Sequence, residues 1–331
     1  MIASSAPLRI SYLGGGTDYQ NYFSQYGGLV LGASINMKVF VFLNELSKVA
    51  EENVRFTYRK IESVASLMEI KHPVVREVLK IYAPNERLNI ATFADLPGKS
   101  GLGSSSAFTV ALITALQALA GNQNLEPKFV AENAINIERK ILNEVGGIQD
   151  HYHATYGNLR SYRFGNFETK ISEPYYSDKI LQELSQFHYL LYVGSERSSA
   201  AYSKQTSHAI LSSDSVKYFH EIKAIAEEGN STLAQLESTE KIIEKLSELI
   251  NESWKLKKFF GKDITNSRVD SLINRGLQNG ATSSKLCGAG NSGYILFLVP
   301  ESERTRFQFH FTGEILLKVS LSPEGYQVKL F

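Results

Sequence analysis

One cysteine in 331 residues, Cys287, excludes an intramolecular disulfide and any cysteine-rich metal centre. An excess of charge is equally lacking. Thirty-five Lys+Arg stand against 34 Asp+Glu, a formal net charge of +1, so the chain offers no basic footprint for a nucleic acid or an anionic membrane surface. No run of about 18 apolar residues occurs, and Met1 to Ser5 is not a basic stretch leading into an apolar one. A soluble cytoplasmic protein is the expectation. Only 8 prolines stand against 18 Phe and 17 Tyr in a 43% hydrophobic chain, a composition that excludes wholesale disorder. The 7 histidines, including His151 and His153, show no metal-site spacing with Cys or carboxylates and read as structural.

What is present reads as strands, then helices. Residues 37–43 and 87–94 are β-branched and aromatic runs of strand length. From Ser104 to Ala120 the chain is rich in Ala and Leu with almost no charge, which predicts a helix buried on most of its surface and stopped at Gly121 and Asn122. Pro127 opens a second helix that is expected to run to about Glu144 and stop at Gly146 and Gly147. After residue 157 the character changes. Short strands at 159–164 and 188–193 lead into a polar, helix-rich block from about Ser198 to Gly280, followed by strands near 283–287, 294–299, 315–320 and 326–331 and a short helix near 301–310. The pattern is α+β, and the length fits two domains, placed at 1–175 and 176–331.

Three Gly/Ser clusters punctuate the chain: Gly14 to Asp18, Gly101 to Ser106 and Gly288 to Gly293. Glycine is needed where backbone approaches a ligand closely, and serine hydroxyls with free N–H groups at a helix start make an anion cradle reinforced by the helix dipole. The second cluster has that layout. Two familiar motifs nearly fit and fail. Gly98-Lys99-Ser100 resembles the tail of a phosphate-binding loop, but its first glycine would fall at Phe93, inside a strand. Gly288 to Gly293 spells a dinucleotide fingerprint, yet a strand follows it rather than a helix.

In order and wording the clusters resemble the three motifs of the GHMP kinase superfamily, the sugar and mevalonate kinases. Pro97-x-x-x-Gly101-Leu-Gly-Ser-Ser-Ser-Ala107 is similar to the second motif and Lys285-Leu-Cys-Gly-Ala-Gly-Asn-Ser-Gly293 to the third. Ala6-Pro7-Leu8-Arg9-Ile10 with Gly14 to Asp18 resembles the variant first motif of the D-glycero-D-manno-heptose 7-phosphate kinases. Gly147-Ile-Gln149-Asp150, Ser253-Trp254 with Lys257, and Asn279-Gly-Ala281 agree with that subfamily. The sequence departs from the pattern at His151, Asn158, Ser283, Ser284 and Ser292, positions expected around the acceptor side of the site.

The resemblance implies an N-terminal domain like ribosomal protein S5 domain 2, a ferredoxin-like C-terminal domain, and ATP with Mg²⁺ and a sugar phosphate bound between them. The implied reaction moves the γ-phosphoryl of ATP to the anomeric hydroxyl of heptose 7-phosphate. Alternatives are a fucokinase-like or galactokinase-like enzyme on a free sugar, and a catalytically silent sensor. Pro97, Gly101, Leu102, Gly103, Ser104, Ser105 and Ser106 would wrap the ATP phosphates, with Ser104 or Ser105 and Glu138 reaching Mg²⁺. Glu138 also falls inside the apolar stripe of Val130, Ala134, Ile141 or Leu142, and Val145, where a carboxylate is either paired or functional. Asp150 matches the catalytic aspartate; its alternative is a helix N-cap. Arg9 would stabilise charge in flight, or form a strand-edge salt bridge. Gly15, Gly16, Thr17, Asp18, Gly147, Gly288, Ala289 and Gly290 would face the sugar, Asp18 being alternatively the cap of the Tyr19 to Phe23 turn. Arg197, Lys38 and Lys204 are available for the 7-phosphate.

Overall fold

A computed structural model describes residues 1–98, 101–122, 124–194, 199–261, 264–288 and 290–331. Its larger sheet is built on two long strands, β1 (Ile2–Leu13) and β2 (Gly28–Glu45), paired antiparallel from one end of β1 to the other. Side chains of β1 alternate buried and half-buried only up to Ser5 and are then almost continuously buried, because both faces of the strand are covered from Ala6 onward. The far half of β2 pairs with β5 (Leu88–Ala94), beside which lie β3 (Val54–Thr57) and β4 (Ile61–Val64). Its near half pairs instead with β6 (Leu159–Phe164), followed by β7 (Thr169–Ile171). A smaller antiparallel sheet has the order β11-β8-β10-β9, from β8 (His188–Gly194), β9 (Ser283–Leu286), β10 (Gly293–Leu298) and β11 (Leu316–Lys318). The last strand, β12 (Gln327–Leu330), returns to the larger sheet and pairs with the start of β1.

Short α1 (Gln20–Tyr26) follows β1, and α2 (Pro73–Tyr82) precedes β5. The Ala/Leu-rich segment is α3 (Ser104–Leu119), whose residues from Ser106 to Leu116 are all buried against β1 and β2, with α2, α4 (Pro127–Ile135) and α5 (Gln149–Tyr156) around it. The helix expected to reach Glu144 does not. After Ile135 it widens into a π-helical turn, Asn136–Ile141, and ends there, so the apolar stripe breaks: Ile137 and Glu138 stay inside while Ile141 and Val145 face solvent. Beyond β7 come α6 (Asp178–Ser185), α7 (Ser199–Leu211), α8 (Ser213–Leu233), α9 (Thr239–Lys257), α10 (Ser267–Gln278) and α11 (Arg304–His310). Helix α9 packs on β9 and on α8, which itself reaches back to β1 and β2. Among the described residues no helix is long and apolar enough to cross a membrane.

The two sheets are joined through buried polar contacts. The Tyr12 hydroxyl in β1 and His188 Nε2 in β8 lie 2.7 Å apart, and His188 Nδ1 lies 2.8 Å from the Leu184 carbonyl. A carbonyl can only accept, so Nδ1 carries the proton and Nε2 accepts from Tyr12. Burial pushes the His188 imidazole down from 6.5 to about 4. Its folded value therefore lies below its unfolded one, so its stabilising contribution is present above pH 6.5 and is lost as pH falls from there to about 4. We expect His188→Gln to lose about 2 kcal/mol less than the parent between pH 7 and pH 5. Parallel urea titrations at the two pH values check this; equal losses would remove His188 as the cause.

Candidate active site

A cleft of about 520 Å³ opens where the start of α3, the start of α5, the first glycine cluster and the α7–α9 side meet. Local chain geometry sets its floor. A register shift in β1 between Pro7 and Arg9 re-aims the strand, and the Arg9 N–H donates to Leu102 O at 2.9 Å. The Arg9 guanidinium then donates from NH1 to Gly101 O at 2.7 Å and from both Nε (2.8 Å) and NH2 (2.7 Å) to Asp150 Oδ1. Asp150 Oδ2 has no partner among the described residues. Arg9 is thus neither a free cation nor a strand-edge bridge, and Asp150, in the first turn of α5, caps nothing: the N-cap is Ile148.

Helix α3 begins without a side-chain cap. Gly103 takes the N-cap position in a left-handed conformation at φ 80°, and a Cβ added there would lie only 3.3 to 3.4 Å from the Asp150 and Arg9 side chains. The first helical amides therefore have no capping side chain. Ser104, Ser105 and Ser106 all line the cleft. The hydroxyls of Ser104 and Ser105 have no partner among the described residues, whereas Ser106 Oγ donates to Glu138 Oε2 at 3.2 Å.

Glu138 is 1% exposed and is paired as well as cleft-lining. Oε1 accepts from Thr109 Oγ1 at 2.5 Å, and Oε2 lies 3.0 Å from His151 Nε2 and 3.4 Å from Arg139 NH1. Burial alone would raise its pKa; the His151 contact, then Arg139 and Thr109, outweigh that and hold the carboxyl below the usual range. Among the described residues no three His, Cys, Asp or Glu side chains are grouped to hold a metal. One ionised carboxylate with an open lone pair on Oε1, beside two unpartnered hydroxyls, nevertheless fits Mg²⁺ that keeps waters and phosphate oxygens as its other ligands.

On the other wall Asp18 is 1% exposed and spent internally. Oδ1 accepts from Gly16 N at 3.0 Å, and Oδ2 accepts from Gln149 N (3.2 Å) and Nε2 (3.0 Å). Burial, then the Asp150 charge, raise its pKa, and the Gln149 and Gly16 donors offset part of this. Rather than capping the next turn, Asp18 orders the start of α5, which carries Asp150. Among the described residues three buried atoms of cleft-lining residues lack partners: Ser11 Oγ, Gln149 Oε1 and the donor Arg139 Nε.

The cleft gathers Arg9, Gly15, Gly16, Asp18, Gly101, Gly103, Ser104, Ser105, Ser106, Glu138, Gly147, Asp150 and Gly288 of the expected residues. Four others stay off it. Thr17 is fully buried and its hydroxyl donates to Gly14 O at 2.8 Å, stapling the turn. Leu102 points into the core, Pro97 is exposed on the approach to the loop, and Gly290 packs on the Ile264 backbone. Ala289 and Arg197 lie outside the described residues. Of the remaining cations named for a second phosphate, Lys204 lines the cleft and Lys38 does not. The five departures expected at the acceptor side are also absent from the lining. His151 instead braces Glu138, and Asn158 adopts φ 62°, the left-handed role a glycine plays. Sequence reasoning missed Ser11, Arg139 and Ser203, which line the cleft, and Thr109, which hydrogen-bonds Glu138; none of them belongs to a local motif.

Residues 65–158 match the GHMP kinases N terminal domain. A D-glycero-alpha-D-manno-heptose 7-phosphate kinase of Campylobacter jejuni is 28% identical over 313 residues, 92% of this chain and 91% of the relative. A bifunctional fucokinase/GDP-fucose pyrophosphorylase of Arabidopsis thaliana is 21% identical over 91% of this chain and 30% of its own length. Among solved structures, a D-glycero-D-manno-heptose 1-phosphate kinase from Bacteriodes thetaiotaomicron superposes with a TM-score of 0.77 at 22% identity, covering 100% of this chain and 99% of that one. The Methanococcus jannaschii mevalonate kinase gives 0.72 at 18% identity, covering 97% and 98%. With the serine-rich helix start and the Arg9–Asp150 pair in one cleft, residues 65–158 carry a GHMP kinases N terminal domain, and the chain as a whole has the fold of the heptose and mevalonate kinases on which it superposes.

Proposed function

We propose that the chain transfers the γ-phosphoryl group of ATP to the anomeric hydroxyl of D-glycero-D-manno-heptose 7-phosphate. The observation that carries the chemistry is the Asp150 carboxylate, fixed through Oδ1 by Arg9 with Oδ2 unpartnered in the cleft. The free α3 amides and the Ser104 and Ser105 hydroxyls bind the triphosphate. Mg²⁺, held by Glu138 with Ser104 or Ser105, supplies charge neutralisation. Asp150 orients the attacking hydroxyl and takes its proton on Oδ2, while Arg9 holds the carboxylate in place. Ser11 Oγ and Gln149 Oε1 are the buried atoms suited to sugar hydroxyls, and Gly15, Gly16 and Gly147 leave them room. Lys204, exposed at the rim beside Ser203, is the cation for the 7-phosphate. The division at residues 1–175 and 176–331 belongs to the same proposal, the first part contributing the phosphate cradle and carboxylates.

The substrate reading is supported by the 28% identical heptose kinase, and the fucokinase relative favours a free sugar as the second choice. A panel of free hexoses, hexose phosphates and heptose 7-phosphate, followed by coupled ADP release, separates them. Turnover on heptose 7-phosphate is expected to exceed that on any free hexose by about 10²-fold, since a missing phosphate leaves a charged subsite empty. Activity on a free hexose with none on the heptose phosphate would sink the proposal.

A further inference from the structure

Two lysines line the cleft without a counter-ion. Lys257, half-buried at the end of α9, donates from Nζ to Gly288 O at 2.5 Å. Lys285, 4% exposed in β9, donates to Tyr12 O at 2.7 Å. Each side chain thus satisfies one donor on a backbone carbonyl. Neither forms an ion pair with a carboxylate among the described residues, although a buried ammonium is ordinarily paired.

The groups facing them sharpen the point. Gly288 lies directly on Gly101, where a Cβ would come within 2.4 Å of the Gly101 Cα, so the carbonyl held by Lys257 is in the layer that backs the phosphate loop. Arg9, a cation whose charge acts on both lysines, is committed to Asp150 and to Gly101 O. Asp18, the carboxylate whose charge reaches Lys257, is committed to Gly16 and Gln149. The buried Cys287 thiol, on which both lysine charges act, is pushed up by burial and so is uncharged near neutrality. Burial foremost lowers Lys257 to about 8, and burial with the Lys257 charge lowers Lys285 to about 7. Two ammonium groups are gathered where no protein anion answers them, beside a loop and helix start shaped for an anion.

We propose that Lys257 and Lys285 are further phosphate-binding residues of this cleft, which meet the terminal phosphoryl group of the nucleoside triphosphate from the α9 and β9 side. The inference rests on the cleft taking ATP and is independent of which sugar accepts. It assigns the two lysines a ligand that ADP lacks, so ATP must gain from them and ADP must not.

Calorimetric titration with ATP and with ADP, at fixed Mg²⁺ and without acceptor, reads this as a ratio of dissociation constants. Lys257→Met and Lys285→Met are each expected to weaken ATP binding by about tenfold or more while leaving ADP within about twofold, one charge-assisted contact being lost. Lys257→Arg should recover most of the ATP preference. If the lysines only staple the loops, ATP and ADP weaken together and Tm falls with them; that result, or an unchanged ratio, overturns the proposal. Should a variant fail to fold, the parent protein decides. Its ATP preference must fall as pH rises from about 7 to about 10, because deprotonation removes the charges, and a flat profile overturns the proposal. A parent that binds neither nucleotide defeats the kinase reading itself, an outcome distinct from one in which both bind and the lysines prove indifferent.

Discussion

Asp150→Asn is expected to lower kcat by about 10³-fold with little change in ATP affinity, a loss in the range of a removed general base. The geometry makes the substitution specific. Both Arg9 donors fall on Oδ1, and an asparagine can offer its one oxygen to Arg9 as the aspartate does. The amide NH₂ then occupies the place of Oδ2, so a donor faces the acceptor hydroxyl where a proton acceptor is needed. Asp150→Ala should lose as much turnover and also release Arg9 from its anchor, raising KM as well. Single-turnover kinetics with saturating ATP measure the chemical step directly. A variant within about tenfold of the parent would remove Asp150 as proton acceptor and leave only an orienting role for it.

The second large effect is expected at Gly288. Its φ of 75° lies in the left-handed region, and a Cβ there would meet the Gly101 Cα at 2.4 Å, backbone against backbone. No side-chain rotation relieves such an overlap, so Gly288→Ala should destabilise the protein by roughly 3 kcal/mol or more. It should also shift Gly101 O, to which Arg9 is bonded at 2.7 Å. Nucleotide affinity then falls with stability. Gly121 provides the control: its φ is 86°, but nothing lies within 4 Å of its Cβ position. Gly121→Ala is expected to cost only about 1 kcal/mol, the conformational part alone. Denaturant unfolding of the pair separates the two contributions. Equal losses would show that the contact between the loops is softer than its distances imply.

The local signals in the sequence carried well. The uncharged Ala/Leu run predicted a helix buried on most of its surface, and α3 is that helix from Ser104. The strands near 159–164, 188–193, 283–287 and 294–299 lie where the patterns put them. Rejecting a dinucleotide fingerprint at Gly288 also held, since β10 starts at Gly293. Long-range pairing was not legible. The stripe through Glu138 assumed one helical period, and the π-turn at Asn136–Ile141 changes that period. Nothing near Asp18 in sequence announces that its carboxylate serves Gln149, 131 residues away. Lys257 and Lys285 could be marked as belonging to a motif, but their lack of a counter-ion is a property of the packed cleft and of no local stretch.

The pairing of β12 with β1 has a consequence for the order in which the molecule can be completed. Every other strand and helix described above lies between β1 and β12 in sequence, so Gln327–Leu330 are made after all of them. Until then one margin of the larger sheet, along Ile2 to Ser5, keeps unpaired N–H and C=O groups, an invitation to pair with another chain. The nascent protein therefore passes through a long interval in which its future active site can form while its border is still open. Closing that border waits on Gln327–Leu330, so a chain lacking those residues would hold every cleft-lining residue and still leave the margin along Ile2 to Ser5 open.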